Sequence, residues 1–220
     1  MTGSFKERYL AVAGDLVPNL GGDHALPHED VGVVENRLGI KLPLSLREYL
    51  LSIGKLKLNT AHNRLLPLAD WFIDDDKLVF MEENQWVVYW GVSASKTVAD
   101  DPALFQGVNR RHKPIEWFPE QDRTSDFLVL MLHFQAAMGG FDQILSGPVN
   151  PNMLGYFESE WSFGGESNGL IAFRRKGEVA CFMGSRGAGR LKMFAGAVSE
   201  AAFRDLSTTL RELRIEYNVL

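Results

Sequence analysis

The chain has little cysteine, no long apolar run and no surplus of base, and each shortage removes a class of function. Cys181 is the sole cysteine, so no intramolecular disulfide can form and nothing calls for an oxidising compartment. The longest apolar stretch, Phe127 to Leu132, is far too short to span a bilayer. A formal net charge of −5 argues against a general nucleic-acid binder, whose domain is usually basic. No internal repeat, low-complexity tract or Gly-x-Ser-x-Gly elbow occurs. The N-terminal MTGSFKERYLAVAGDL reads as an interrupted amphipathic stretch rather than a secretory leader, because no long apolar segment follows Lys6 and Arg8. These absences predict a soluble, cytoplasmic protein without a membrane partner.

What is present is an ordinary apolar fraction of 45% over 220 residues, enough to bury a substantial core. The charge is uneven. Between Asp70 and Asp101, the carboxylates of Asp70, Asp74, Asp75, Asp76, Glu82, Glu83, Asp100 and Asp101 face only Lys77 and Lys96, a net of −6. Between Ile171 and Lys192, Arg174, Arg175, Lys176, Arg186, Arg190 and Lys192 face Glu178 alone, a net of +5. Opposite fields on one chain speak to partners rather than to fold.

Periodicity predicts an α+β fold. A short helix over 4–13 precedes a Pro- and Gly-bearing loop to Pro27. Val31, Val34, Glu35 and Leu38 then share one helical face, with Gly39 suited to the C-terminal cap. Beyond Leu42-Pro43, Ser45 and Glu48 stand at capping-box spacing before the stripe Leu46, Tyr49, Leu50 and Ile53. Leu65 to Leu68 reads as an edge strand. Lys77–Glu82 and Gln85–Val92 read as a hairpin turning at Glu83-Asn84, with Asn84 taking positive φ. Ser125 is placed as the N-cap of an almost wholly apolar helix over 126–138, closed by Gly139-Gly140. Alternation over 156–163 predicts a half-buried strand, and 170–175 with 178–183 a hairpin about Lys176-Gly177. A closing helix spans 199–216, with Phe203, Leu206, Leu210 and Leu213 buried. The expected organisation is an N-terminal helix and loop (1–27), an α+β domain with an antiparallel sheet packed on helices (28–140), and a C-terminal strand-and-helix extension (141–220) on the same sheet.

Chemistry is thinly signalled. Glu82 and Glu83 are adjacent, so on a regular strand they point to opposite faces and make a solvated tip rather than an acid–base pair. Glu158 and Glu160 share a face of the expected strand, where an outward polar surface accounts for them without chemistry. Pro27 disrupts the helix that would align His24 with His28, and His62, His112 and His133 are scattered, so no metal is expected. Gly184 to Leu191 has the glycine separation of a phosphate loop, yet Arg190-Leu191 stands where Lys-Ser/Thr would contact phosphate and magnesium. Cys181 reads as inert and buried. No catalytic residue and no cofactor is expected. The acidic residues flanking the tryptophan-bearing hairpin can form a rim around an aromatic anchor, a pattern that suits protein recognition.

Val34-Glu35-x-x-Leu38-Gly39-Ile40-x-Leu42-Pro43, followed by Leu46-Arg47-Glu48-Tyr49-Leu50-Leu51, resembles the start of the SUKH superfamily. That group takes in a yeast cell-wall-synthesis regulator and many bacterial toxin-immunity proteins. The strands around Glu82–Gln85, the Asp101-Pro102 step and the helix bearing Phe127-Leu128 extend the likeness over roughly residues 28–140. The resemblance implies a non-enzymatic immunity protein that masks a toxin. Many such toxins are nucleases with basic clefts, and Asp74, Asp75, Asp76, Glu82, Glu83, Asp100 and Asp101 are the residues expected to meet one. A regulatory scaffold without a toxin, and a hydrolase using a cleft between the two halves, remain the alternatives.

Overall fold

The computed structural model describes residues 4–21, 23–96, 99–185 and 189–220. Helix α1 (Phe5–Leu16) is followed by a loop and by α2 (His28–Leu38), which stops at Gly39 with φ 68°. The Leu-Pro corner then leads into α3 (Leu44–Ile53). Glu35 holds this corner. Its side chain is buried, Oε1 accepts from the Leu42 N–H at 3.0 Å, and Oε2 pairs with Lys41 Nζ at 3.0 Å. Burial alone would raise the Glu35 pKa, but the Leu42 N–H and the Lys41 ammonium outweigh it and hold the group below the usual glutamate range. A depressed folded pKa contributes stability above the unfolded value, and that stability is lost as pH falls through the folded pKa. Glu35→Ala should therefore cost about 2 kcal/mol at pH 7, chiefly by orphaning the Leu42 N–H. In urea melts the deficit should narrow below about pH 4; a deficit independent of pH would contradict this account.

The expected capping box does not form. Helix α3 begins at Leu44, so Pro43 takes the N-cap position and Ser45 lies inside the first turn. The Ser45 N–H is satisfied by the carbonyl of Asp100 at 2.8 Å instead. Glu48 accepts from the Lys6 N–H at 2.8 Å.

Two compact units divide the chain: Met1–Ala11 with Gly21–Leu128, and Val12–Leu20 with Val129–Leu220. The first contains an antiparallel sheet of β1 (Arg64–Leu65), β2 (Phe72–Asp74), β3 (Lys77–Glu82), β4 (Val88–Ser93), β5 (Leu104–Val108) and β6 (Glu116–Gln121). Its order is β1-β3-β4-β5-β6, with β2 also pairing β3. Strand β4 is interior, as its apolar faces predict, and β1 is an edge. Side chains alternate across the sheet. Leu78, Phe80, Trp90, Val92 and Leu104 are buried on one side, where Trp90 meets Phe127 at a ring-centroid distance of 5.5 Å.

Phe127 belongs to α4 (Thr124–Gln135), which runs into a wider turn over Ala136–Gly140. Ser125 sits in the first turn of α4 rather than at its cap. Asp101 does the capping from outside, accepting the Ser125 N–H at 2.8 Å and its hydroxyl at 2.7 Å.

The second unit has a sheet of its own rather than an extension of the first. It is built from β7 (Gln143–Val149), β8 (Ser162–Ser167), β9 (Leu170–Arg175), β10 (Glu178–Met183), β11 (Leu191–Ala197) and β12 (Asn218–Val219), in the order β12-β7-β11-β10-β9-β8. Helix α5 (Leu154–Glu160) replaces most of the strand predicted over 156–163. Phe157 and Trp161 are four apart, a spacing that fits a helical face as well as it fits strand alternation. The Asn150-Pro151 start, where Asn150 Oδ1 accepts the Asn152 N–H at 3.0 Å, tips the choice. Helix α6 (Glu200–Glu212) is capped by Ser199, which the expected span took as its first residue, and ends four residues early.

Candidate functional site

The β3–β4 turn is wider than the sequence suggests. Strand β4 starts at Val88, and the residue with positive φ is Trp86 (61°), not Asn84. The loop is nonetheless fixed. The Glu83 N–H donates to the Val88 carbonyl at 2.8 Å, and the Trp86 N–H to the Glu83 carbonyl at 2.9 Å. From the neighbouring β5–β6 loop, the Asn109 side chain donates to the Trp86 carbonyl at 2.8 Å and its N–H to the Val87 carbonyl at 2.9 Å. On this frame the Trp86 indole is 58% exposed and Val87 48%. The Arg64 guanidinium lies 6.0 Å from the indole centroid. His62 is nearby; desolvation lowers its pKa, against the opposing field of Glu83.

The seven acidic candidates do not form one rim. Glu82 is only 5% exposed and its carboxylate is ion-paired with Arg64, so it serves the fold. Glu83 stays at the tip, where its carboxylate accepts the Gln85 N–H at 2.8 Å. Asp74, Asp75 and Asp76 form the β2–β3 turn at the other end of β3, about 20 Å away at strand rise. Asp75 (φ 41°) and Asp76 (φ 60°) make that turn possible, as short polar side chains tolerate the left-handed region. Asp76 accepts from the hydroxyls of Ser93 at 2.7 Å and Ser95 at 3.0 Å, which lowers its pKa. Asp100 is exposed and Asp101 is engaged as the α4 cap.

Between these ends lies a half-buried aromatic face. Register and alternation put Phe72, Asp74, Tyr89, Phe105 and Trp117 on the side of the sheet opposite Trp90. Trp117 Nε1 donates to Asp74 Oδ2 at 3.0 Å, and Phe72 meets Tyr89 edge-on with centroids 5.7 Å apart. Gly107 is required here, because a β-carbon would stand 2.8 Å from Trp117 Cζ3. The sequence reading also missed a basic loop. Arg110, Arg111 and Lys113 are exposed on the β5–β6 connection, beside the tip that was expected to belong to an acidic rim around an aromatic anchor. Three bases within four residues are a charge-pattern signal that could have found it. The result is a sheet with an acidic end, a mixed basic-aromatic end and aromatics between.

In the second unit, Glu158 and Glu160 are exposed on α5, where a two-residue step turns them about 200° apart, so they make no carboxylate pair. Cys181 is fully buried, and burial pushes its thiol up, away from reactivity. The glycine-bearing segment before β11 joins strand to strand, and its residues 186–188, Arg186 included, lie outside the described residues. Among the described residues no group of histidine, cysteine and carboxylate side chains could hold a metal ion. Nor is any helix among them long and apolar enough to cross a membrane. Comparison with protein-family models, with curated proteins and with solved structures finds no match for this chain.

Proposed function

We propose that the chain is a non-enzymatic protein-binding module of the immunity type, neutralising a cognate bacterial toxin through the first sheet. The observation that carries this reading is Trp86. A bulky residue at φ 61° is strained, and an indole left 58% exposed beside the Arg64 guanidinium buries most of its apolar surface only when a partner covers it. Tryptophan on a rigid support is a typical interface anchor. Asp75 and Asp76 supply an exposed acidic end, and Asp100 is a further exposed carboxylate, a charge pattern suited to steering a basic partner. A standard interface covers about 800 Å² per partner, about 30 Å across, which reaches from the tip to that acidic end. The helix, Leu-Pro corner, second helix and antiparallel sheet also follow one another in the order that the SUKH resemblance implies, which supports the immunity reading.

The test is to look for a toxin domain encoded in an adjacent gene and to measure its binding to this chain. Trp86→Gly accepts the positive φ without strain, so the tip should fold. It should weaken binding at least about 30-fold, mainly through faster dissociation. Asp75→Lys with Asp100→Lys should slow association, an effect that fades at high salt. A neighbouring toxin bound equally well by all variants would sink the proposal.

A further inference from the structure

A second site lies in the second unit, remote in sequence from the Trp86 tip and independent of the proposed function. A cavity of about 280 Å³ opens between the end of β7, the start of β11 and the segment after α6. Val149, Met153 and Ile215 give it an apolar floor, and Arg190, Arg214 and Glu216 stand at its exposed rim. Among the described residues neither arginine forms an ion pair.

The position of Arg214 is unusual. Helix α6 ends in a Schellman motif: the Arg214 N–H donates to the Arg211 carbonyl at 2.9 Å and the Ile215 N–H to the Leu210 carbonyl at 2.9 Å. The residue after the cap is then left-handed, and glycine is the usual choice there. Here it is Arg214, with φ 56°. A helix C-terminus favours a cation, but a base one turn earlier would serve the dipole without the strain. The segment is also pinned. A β-carbon on Gly147 would come within 2.1 Å of the Glu216 carbonyl oxygen, so this glycine lets residues 216–217 cross directly over β7. Strain is thus accepted at a fixed wall to hold a guanidinium over an apolar floor.

We infer that this cavity binds a monoanion carried on an apolar body, of the size of an aliphatic carboxylate. The two guanidiniums grip the carboxylate, and Val149, Met153 and Ile215 take the chain. Glu216 offsets one of the two positive charges, which favours a single negative charge over a doubly charged phosphate.

The probe is sodium hexanoate titrated into the full chain at low salt, followed by amide NMR shifts, with hexylamine and hexanol as controls. Saturable shifts are expected over residues 148–153 and 213–216 with hexanoate, and weaker or none with the controls. Arg190→Ala and Arg214→Gly should each weaken hexanoate binding at least about tenfold. Glu216→Gln should tighten it. Arg214→Gly should also raise Tm by roughly 2–4 °C by relieving the positive φ, so its loss of binding cannot come from misfolding. Three results would each overturn the site: no saturable hexanoate shifts, controls that bind as well as hexanoate, or undiminished binding in both arginine variants.

Discussion

Arg175→Ala is expected to lower the thermal midpoint by roughly 10 °C, the loss being concentrated at neutral pH. Arg175 is held three ways. Its Nε donates to Glu178 Oε2 at 3.0 Å, its Nη2 donates to Thr209 Oγ1 at 3.1 Å, and its guanidinium stacks 4.7 Å from the Trp161 ring. Glu178 is 3% exposed at the first position of β10. Removing the arginine leaves a buried carboxylate without its counter-charge, a change that costs about 3–5 kcal/mol. Even with Arg175 present, burial pushes the Glu178 pKa up, and the guanidinium only partly opposes it. A raised folded pKa contributes stability that is full below the unfolded pKa and is lost as pH rises through the folded one. The Arg175→Ala deficit should therefore be large at pH 7–8 and small near pH 4, the reverse of the Glu35 case. Glu178→Gln should remove this pH dependence, and adding it to Arg175→Ala should recover most of the lost stability. Melts of the two single variants and the double variant at both pH values decide the matter. A double variant no better than Arg175→Ala would show that the stacking on Trp161, not the buried charge, carries the effect.

How far the sequence is legible depends on whether the deciding contact is local. The corner between α2 and α3 is legible because Gly39 and Pro43 act through their own backbones. So is the β9–β10 hairpin, where Lys176 (φ 46°) and Gly177 (φ 80°) form the two-residue turn that was predicted. The β3–β4 turn is not. The apolar alternation runs on through Trp86-Val87, but Asn109 of another hairpin takes both of their carbonyls and ends the pairing. Distance misleads in the same way for the acidic segment. Asp74–Asp76 and Glu82-Glu83 are close in sequence, and β3 holds them apart by its whole length. Asp101 looked like part of a surface, yet it caps α4 in place of Ser125. The early stop of α6 has no glycine to announce it, because Arg214 occupies the left-handed position.

Phe157→Ala and Phe163→Ala should differ by several kcal/mol, although the strand reading of 156–163 puts both side chains on one buried face. In α5, Phe157 is fully buried, with ring centroids at 4.7 Å from Phe182, 5.3 Å from Trp161 and 6.1 Å from Phe173. It is the centre of an apolar cluster that draws on β9, β10 and α6. Truncation there leaves a cavity among close-packed rings and should cost about 3–5 kcal/mol. Phe163 lies beyond the helix on the edge strand β8 and is 63% exposed, with one edge-on contact to Phe173 at 6.1 Å. Its truncation should cost no more than about 0.5 kcal/mol. Urea denaturation of both variants reads the difference directly. Equal losses would mean that the two rings share one environment, which the helix at 154–160 forbids and a strand would require.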